Sequence, residues 1–431
     1  MKLIHMVKGI KKFFRAVGPG VITGAADDDP SGIATYSQTG AQFGYSQLWT
    51  TTALLPFMVA IQEACARIGA ATGKGIAAVV RDHYNKKILY FLVGLIVIAN
   101  TINIGADLGA MSAAAQLVIP LPFALYALFF TVLILVLEVF MSYRSYASVL
   151  KWLALTLFAY PVTVFMVSQP WGEILRATFV PHIELSFPFL FIFTGVLGTT
   201  ISPYMFFWQA SEEVEEEKAK HLLSHGVPHI TQRFLKHIRL DTSVGMFFSQ
   251  FATWCIIVVA ATVLHRSGVT NISTAADAAQ ALEPLVRTFP NSGLLAKLIF
   301  SIGIIGLGLL SVPVLSASAS YALSETLNWK EGLNLKLKKA HGFYGIITIA
   351  TLIGLGINFI GIDPIQALIY TSVLNGLAAV PLIFFIARIA ESPAIMGNFK
   401  SGVLSRIFVW GTFVFIAVVA VFMALSFFHG A

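Results

Sequence analysis

An all-α polytopic membrane protein is what this sequence predicts, on three observations. Of 431 residues, 57% are hydrophobic and only 11% charged, with a mean hydropathy of +0.80, a composition that a water-facing surface does not tolerate. The apolar residues fall into stretches of about 20, the length that crosses a bilayer as a helix. Lys and Arg gather in alternate loops between those stretches, as they do on the cytoplasmic side of a membrane.

In order, the stretches are Val17–Gly40, Leu48–Ala70, Ile88–Ile119, Phe123–Ser142, Ser148–Val167, Phe187–Ala210, Ser243–Leu264, Leu294–Leu315, Phe343–Ile362, Ile365–Arg388 and Ile407–Phe428, eleven spans in all. The amino terminus carries Lys2, Lys8, Lys11, Lys12 and Arg15, and alternate loops carry Lys74, Arg81, Lys86 and Lys87, Arg144 and Lys151, Lys218 to Arg239, Lys330 to Lys339, and Arg388 to Arg406. Pro120–Pro122 and Gly361–Pro364 carry none. The chain is therefore expected in the inner (plasma) membrane, amino terminus inside and carboxyl terminus outside. This asymmetry also explains the net charge of +7 without nucleic acid. Met1–Arg15 leads into an apolar stretch interrupted by Gly18-Pro19-Gly20 and then by acids, and is expected to stay uncleaved. Cys65 and Cys255 both fall within spans and predict reduced packing residues.

The first span contains Asp27-Asp28-Asp29-Pro30-Ser31-Gly32. A charge at bilayer depth costs roughly 2.5 to 3.5 kcal/mol on insertion scales, so intramembrane acids tend to face a polar cavity. Pro30 lacks a backbone donor and disfavours helical geometry at Asp29. The prediction is a helix broken mid-membrane, its freed carbonyls and a carboxylate aimed into a cation pocket. In the second span Glu63 and Arg67 stand at i, i+4 and predict an ion pair. The third span holds Asn100, Asn103 and Asp107, suited either to interhelical hydrogen bonds or to lining a cavity. Glu138 lies near the inner end of the fourth.

In the sixth span, Gly and Thr lead into Ser202-Pro203. Two inverted repeats of five spans would bring this second break opposite Asp29-Pro30. Repeats over about 16–168 and 187–388, with an additional helix over about 405–429, make one transport domain of residues 1–431. Glu212 to Glu217 are expected to extend the helix as a solvated acidic run, and His221, His225, His229 and His237 have no spacing that makes a compact tetrahedral site. No His-Glu-x-x-His, Gly-x-Ser-x-Gly or phosphate-cradling loop appears, so no enzyme and no resident cofactor are expected.

The chain resembles the NRAMP family of divalent metal transporters over nearly its whole length. The resemblance is carried by Gly18-Pro19-Gly20, Asp29-Pro30, Phe43-Gly44-Tyr45 and Ser202-Pro203. It implies the five-plus-five inverted-repeat fold of the amino-acid transporter LeuT plus an eleventh helix, the first and sixth helices broken at mid-membrane. It implies as metal ligands Asp29 and the carbonyls of Ala26 and Thr199. The family's Asn position is Gly32 here and its Met position is Ser202, so a soft sulfur is replaced by oxygen and the pocket is expected to be wider. The family's third-span Glu and Asp correspond to Asn100 and Asp107, its second-motif His to Tyr204, and the ninth span runs Phe343–Phe359 without a charge, so most of a proton relay is missing.

The pattern is similar to the NRAMP-related magnesium transporters of prokaryotes. The expectation is a transporter, functional as a monomer, that imports Mg²⁺, and Mn²⁺ less selectively, by alternating access and without proton coupling. Asp27, Asp28, Tyr204, Asn100 and Asp107 would line the ion's path. A proton-coupled Mn²⁺ or Fe²⁺ transporter is the alternative. A sodium-coupled carrier of organic solutes lacks a Lys or Arg at the site to hold a carboxylate.

Overall fold

The computed structural model describes residues 27–141, 157–219, 221–224, 227–228, 230–287, 289 and 291–429. The Gly18-Pro19-Gly20 stretch, the Ala26 carbonyl, the basic amino terminus, the first nine residues of the Ser148–Val167 span, Arg144, Lys151, His225 and His229 lie outside the described residues. Apart from turns and connecting loops, the described residues are helical except for a hairpin of two-residue strands, Leu223–Ser224 against Val227–Pro228.

In chain order the helices are α1 (Pro30–Phe43), α2 (Trp49–Thr72), α3 (Ile76–His83), α4 (Lys86–Val118), α5 (Phe123–Phe140), α6 (Ala159–Met166), α7 (Trp171–Phe179), α8 (Phe187–Thr200), α9 (Pro203–Ala219), α10 (Gln232–Val263), α11 (Ala275–Gln280), α12 (Glu283–Val286), α13 (Ser292–Leu327), α14 (His341–Ile357), α15 (Pro364–Glu391), α16 (Pro393–Met396) and α17 (Val403–His429). Counting α8 and α9 as one span, eight helices among the described residues are long and apolar enough to cross a membrane. The other three expected spans are α1, described only from the break onward, the partly described α6, and α14, whose 17 residues fall just short of that length.

Local sequence sets the helix starts. Asp29 caps α1 and Pro30 opens it, needing no backbone donor there. Asn85 caps α4, Thr231 caps α10, and Asp363 with Pro364 repeats the α1 solution at α15. The predicted ends are short in several places: α13 runs on to Leu327, beyond the expected Leu315, and α10 begins at Gln232, before Ser243. Both extensions carry polar residues that hydropathy alone reads as loop.

Small residues hold the bundle together where helices cross. A Cβ at Gly40 of α1 would come 2.5 Å from the Ile257 carbonyl of α10 and 2.7 Å from Ala260 Cβ. Gly376 of α15 is as close to the Thr194 carbonyl of α8, and Gly198 of α8 returns against Ser372 and Gly376. Such close backbone approach is the usual basis of helix association in lipid. The faces of α5 and α17 turned from the bundle present Phe129, Val132, Phe140, Val414, Val418 and Val421, all exposed. Apolar exposure along entire spans is what a lipid-facing surface requires.

Glu63 and Arg67 form the predicted ion pair inside α2, both buried. More converges on it than the sequence suggests. Arg239 of α10 lies 3.6 Å from Glu63, Ser405 of α17 donates to Glu63 at 3.4 Å, and Arg67 donates to the Phe399 carbonyl at 3.4 Å. Cys65 and Cys255 are buried and free.

Candidate metal site at the two helix breaks

The first span breaks at Asp28 and Asp29, and α1 restarts at Pro30. The sixth breaks at Ile201 and Ser202, between α8 and α9. The two interruptions face each other. Ser31 Oγ lies 3.5 Å from Thr199 Oγ1, and the Tyr36 and Thr200 hydroxyls are 3.1 Å apart. Tyr204, one residue into α9, donates to Asp29 Oδ2 at 3.4 Å. The C-terminal end of α8 brings a partial negative charge to this point, which favours a cation.

Asp29 has two differently committed oxygens. Oδ1 accepts from Ser31 Oγ at 2.6 Å and from the Gly32 amide at 2.8 Å, which is the cap of α1. Oδ2 has only the long contact with Tyr204. Gly32 faces this centre: a Cβ there would lie 3.2 Å from Thr199 Oγ1 and 3.7 Å from Asp29 Oδ1. Ser202 donates to the Thr199 carbonyl at 2.6 Å, so two of the expected oxygen donors are paired with each other. Asp29, Gly32, Thr199, Ser202 and Tyr204 are thus brought together, all buried.

The other expected residues distribute themselves around that centre. Asp107 of α4 accepts from Ser311 of α13 at 2.6 Å, keeps Oδ1 without a hydrogen bond, and lies within electrostatic reach of Asp29. Asn100 donates to the Leu315 carbonyl at 2.9 Å, and Asn103 to Asn375 at 2.9 Å, so both amides bridge helices. Asp27 and Asp28 turn away towards Ser249 of α10, at 3.5 and 3.1 Å. Among the described residues no three His, Cys, Asp or Glu side chains converge as a metal cluster. The three consecutive aspartates therefore do not act as one ligand set.

Sequence reasoning missed the hydroxyl ring of Ser31, Tyr36 and Thr200, and the α10 residues Ser249 and Thr253. The signal was present: Ser249 and Thr253 are hydroxyls four residues apart in an apolar helix, hence on one face.

A second polar region lies at the opposite ends of α9 and α13. The expectation that Glu212 to Glu217 form a solvated run is corrected here: Glu213, Glu215 and Glu217 are buried. Glu213 accepts from Gln209 at 3.1 Å, and Glu215 from Lys218 at 3.1 Å and Asn334 at 2.8 Å. Glu213 and Glu215 are buried with partners from their own helix and from the loop after α13. A cavity of about 150 Å³ lies beside them, lined by Arg81, Ser211, Glu215, Lys218, Glu325 and Glu331. Glu325 accepts from the Ala78 amide at 2.9 Å and from Ser211 at 3.2 Å, and Arg81 donates to its carbonyl.

Burial, then the neighbouring Glu325, push Glu331 up to about 9, against the pull of Lys218 and Arg81. Its folded value lies above the unfolded value of about 4.3, so folding favours the protonated form and stability declines as pH rises through that window. Glu331→Gln is expected to melt higher than the wild type at mildly alkaline pH and to match it in acid, as measured by a thermal melt across pH.

The family model described as Natural resistance-associated macrophage protein-like matches residues 20–426. The chain belongs to the Nramp family. Among solved structures this Nramp chain is similar to the Eremococcus coleocola manganese transporter in complex with an aromatic bis-isothiourea substituted compound, with TM-score 0.75 and 15% identity over 94% of this chain and 85% of that one. It is also similar to Mhp1, a nucleobase-cation-symport-1 family transporter, with TM-score 0.58 and 12% identity over 95% and 93% of the two chains. MhsT in complex with L-phenylalanine gives TM-score 0.59 and 11% identity over 94% and 98%. At these identities the likeness is one of fold, the LeuT-like arrangement with two interrupted helices, which the Nramp chain displays at Asp29 and Ser202.

Proposed function

We propose that this Nramp protein is a divalent-cation transporter whose preferred substrate is Mg²⁺, with Mn²⁺ carried less selectively. The observation that carries the proposal is the donor chemistry at the breaks: the side chains hydrogen-bonded across them, Asp29, Ser31, Tyr36, Thr200 and Tyr204, all offer oxygen. Ser202 adds a hydroxyl where a family methionine would bring sulfur, and Met205 is packed into the apolar core. Hard oxygen donors suit Mg²⁺, which keeps part of its water shell and binds through one or two carboxylates. Asp29 is the charged ligand in this proposal, with Ser202, the carbonyls of Thr199 and Ala26, and retained water completing the shell.

An inside-negative potential supplies about 4.6 kcal/mol per 100 mV for a doubly charged ion, twice the value for a single charge, so import needs no proton. The uncharged run Phe343–Phe359 and the amide at Asn100 support that economy. The whole chain acts as one transport domain, working as a monomer in the plasma membrane, its repeats over about 16–168 and 187–388 and its basic loops inside.

The test is flux into proteoliposomes with and without a proton gradient, for the wild type and for a Gly32→Asn, Ser202→Met variant. Asn at 32 is tight against Thr199 and Tyr36, each 3.2 Å from the new Cβ, and needs a shift of a few tenths of an ångström. The variant is expected to change the Mn²⁺ over Mg²⁺ preference by about tenfold or more towards Mn²⁺. Mn²⁺ uptake with acidification inside, and no Mg²⁺ entry or competition, would overturn the proposal in favour of a proton-coupled Mn²⁺ transporter.

A further inference from the structure

Asp27 and Asp28 are the acids that the Asp29 centre leaves unused. They are 1% and 3% exposed, so neither is hydrated by bulk water. Both carboxylates turn to one hydroxyl, Ser249 Oγ, at 3.5 Å from Asp27 Oδ2 and 3.1 Å from Asp28 Oδ1. A hydroxyl has a single proton to give, so it satisfies one of them at a time. Asp27 Oδ1 has no hydrogen-bond partner at all.

The charged groups acting on this pair make the shortage worse. Asp27 is affected by Asp28 and Asp29, and Asp28 by Asp29, with no Lys, Arg or His of the described residues among the influences. A further donor atom stands ready on the same helix. Thr253 lies one turn along α10 from Ser249 and on the same face. It is buried beside the Tyr36 hydroxyl, which is itself within electrostatic reach of Asp27 and Asp28. Two carboxylates that share one hydroxyl proton, sealed from water and with no basic residue among the described ones acting on them, leave a buried oxygen, Asp27 Oδ1, open to a cation.

We propose that Asp27 and Asp28, with Ser249 and Thr253 of α10, form a second divalent-cation position beside the Asp29 centre, taking a partly hydrated ion. It is a separate position because Asp29 turns its oxygens to Ser31, Gly32 and Tyr204, whereas Asp27 and Asp28 turn theirs to α10. Two carboxylates with hydroxyls and retained water are the donor set that a hard, oxygen-seeking dication accepts. Two dications in adjacent positions repel, which weakens each enough to be released, as in multi-site conduction. The inference rests on the proposal that the substrate is a divalent cation.

Equilibrium dialysis of the purified full chain with radioactive Mn²⁺ tests it. The wild type is expected to bind two ions per chain, and Asp29→Ala and the Asp27→Asn, Asp28→Asn double variant one each. Ser249→Ala keeps every charge and guards against a variant that merely misfolds. It is expected to weaken one of the two ions by about tenfold and leave the other unchanged. A wild type that binds one ion, or a double variant that still binds two, overturns the second position. If a one-ion wild type still carries Mg²⁺, the transport proposal survives without it. A wild type that binds none removes both.

Discussion

Asp29→Ala is expected to abolish divalent-cation uptake, lowering it by more than about a hundredfold at subsaturating ion. The Asp29 side chain is hydrogen-bonded to Tyr204 across the two helix breaks, and the oxygen that makes this contact is free of the cap. Loss of the cap costs α1 about 1 kcal/mol. Removal of a buried charge with no basic partner offsets much of that, so the variant is expected to fold and to melt close to the wild type. Uptake into proteoliposomes beside a thermal melt separates the two effects. Retained uptake in a folded variant would remove Asp29 from the site.

Gly198→Val is expected to have the opposite signature, a loss of the folded chain itself. A Cβ at 198 would overlap the Ser372 carbonyl and the Gly376 amide and lie 2.8 Å from Gly376 Cα, all backbone atoms of α15 that cannot rotate away. The two helices would have to separate, at a cost of about 3 kcal/mol or more. That separation would also disturb the break at Ser202, four residues along. Size-exclusion profile and melting temperature are the readouts. Gly94→Val is the control, because a Cβ there meets nothing within 4 Å and the variant is expected to behave as the wild type.

The two breaks were legible because Pro30 and Pro203 stand among residues that loosen a helix, Asp29, Ser31 and Gly32 at the first and Gly198, Thr199, Thr200 and Ser202 at the second; proline alone does not decide, since Pro56, Pro313 and Pro381 lie inside continuous helices. The Glu63 and Arg67 pair was legible for a similarly local reason, four residues on one helix. What depended on distant partners was not. The inward turn of Glu215 needed Asn334, more than a hundred residues away. The orientation of Asp27 and Asp28 was set by Ser249, at a separation of 222 and 221 residues. A run of three aspartates invited treatment as a unit, and only the opposing helices reveal that the third has a different neighbourhood. The short helices α3 and α7 escaped notice because neither is long or apolar enough to register as a span.

The ion pair on α2 changes how α17 should be regarded. With few of its side chains inside the bundle, that last helix looks detachable. Yet Ser405 reaches Glu63, and Phe399 just ahead of it supplies a carbonyl to Arg67. Cutting the chain before this segment would strip two partners from charges that water cannot reach. That last helix therefore works as a splint: it lies along the outside, but what it immobilises is the buried joint where α2 meets the first part of α10.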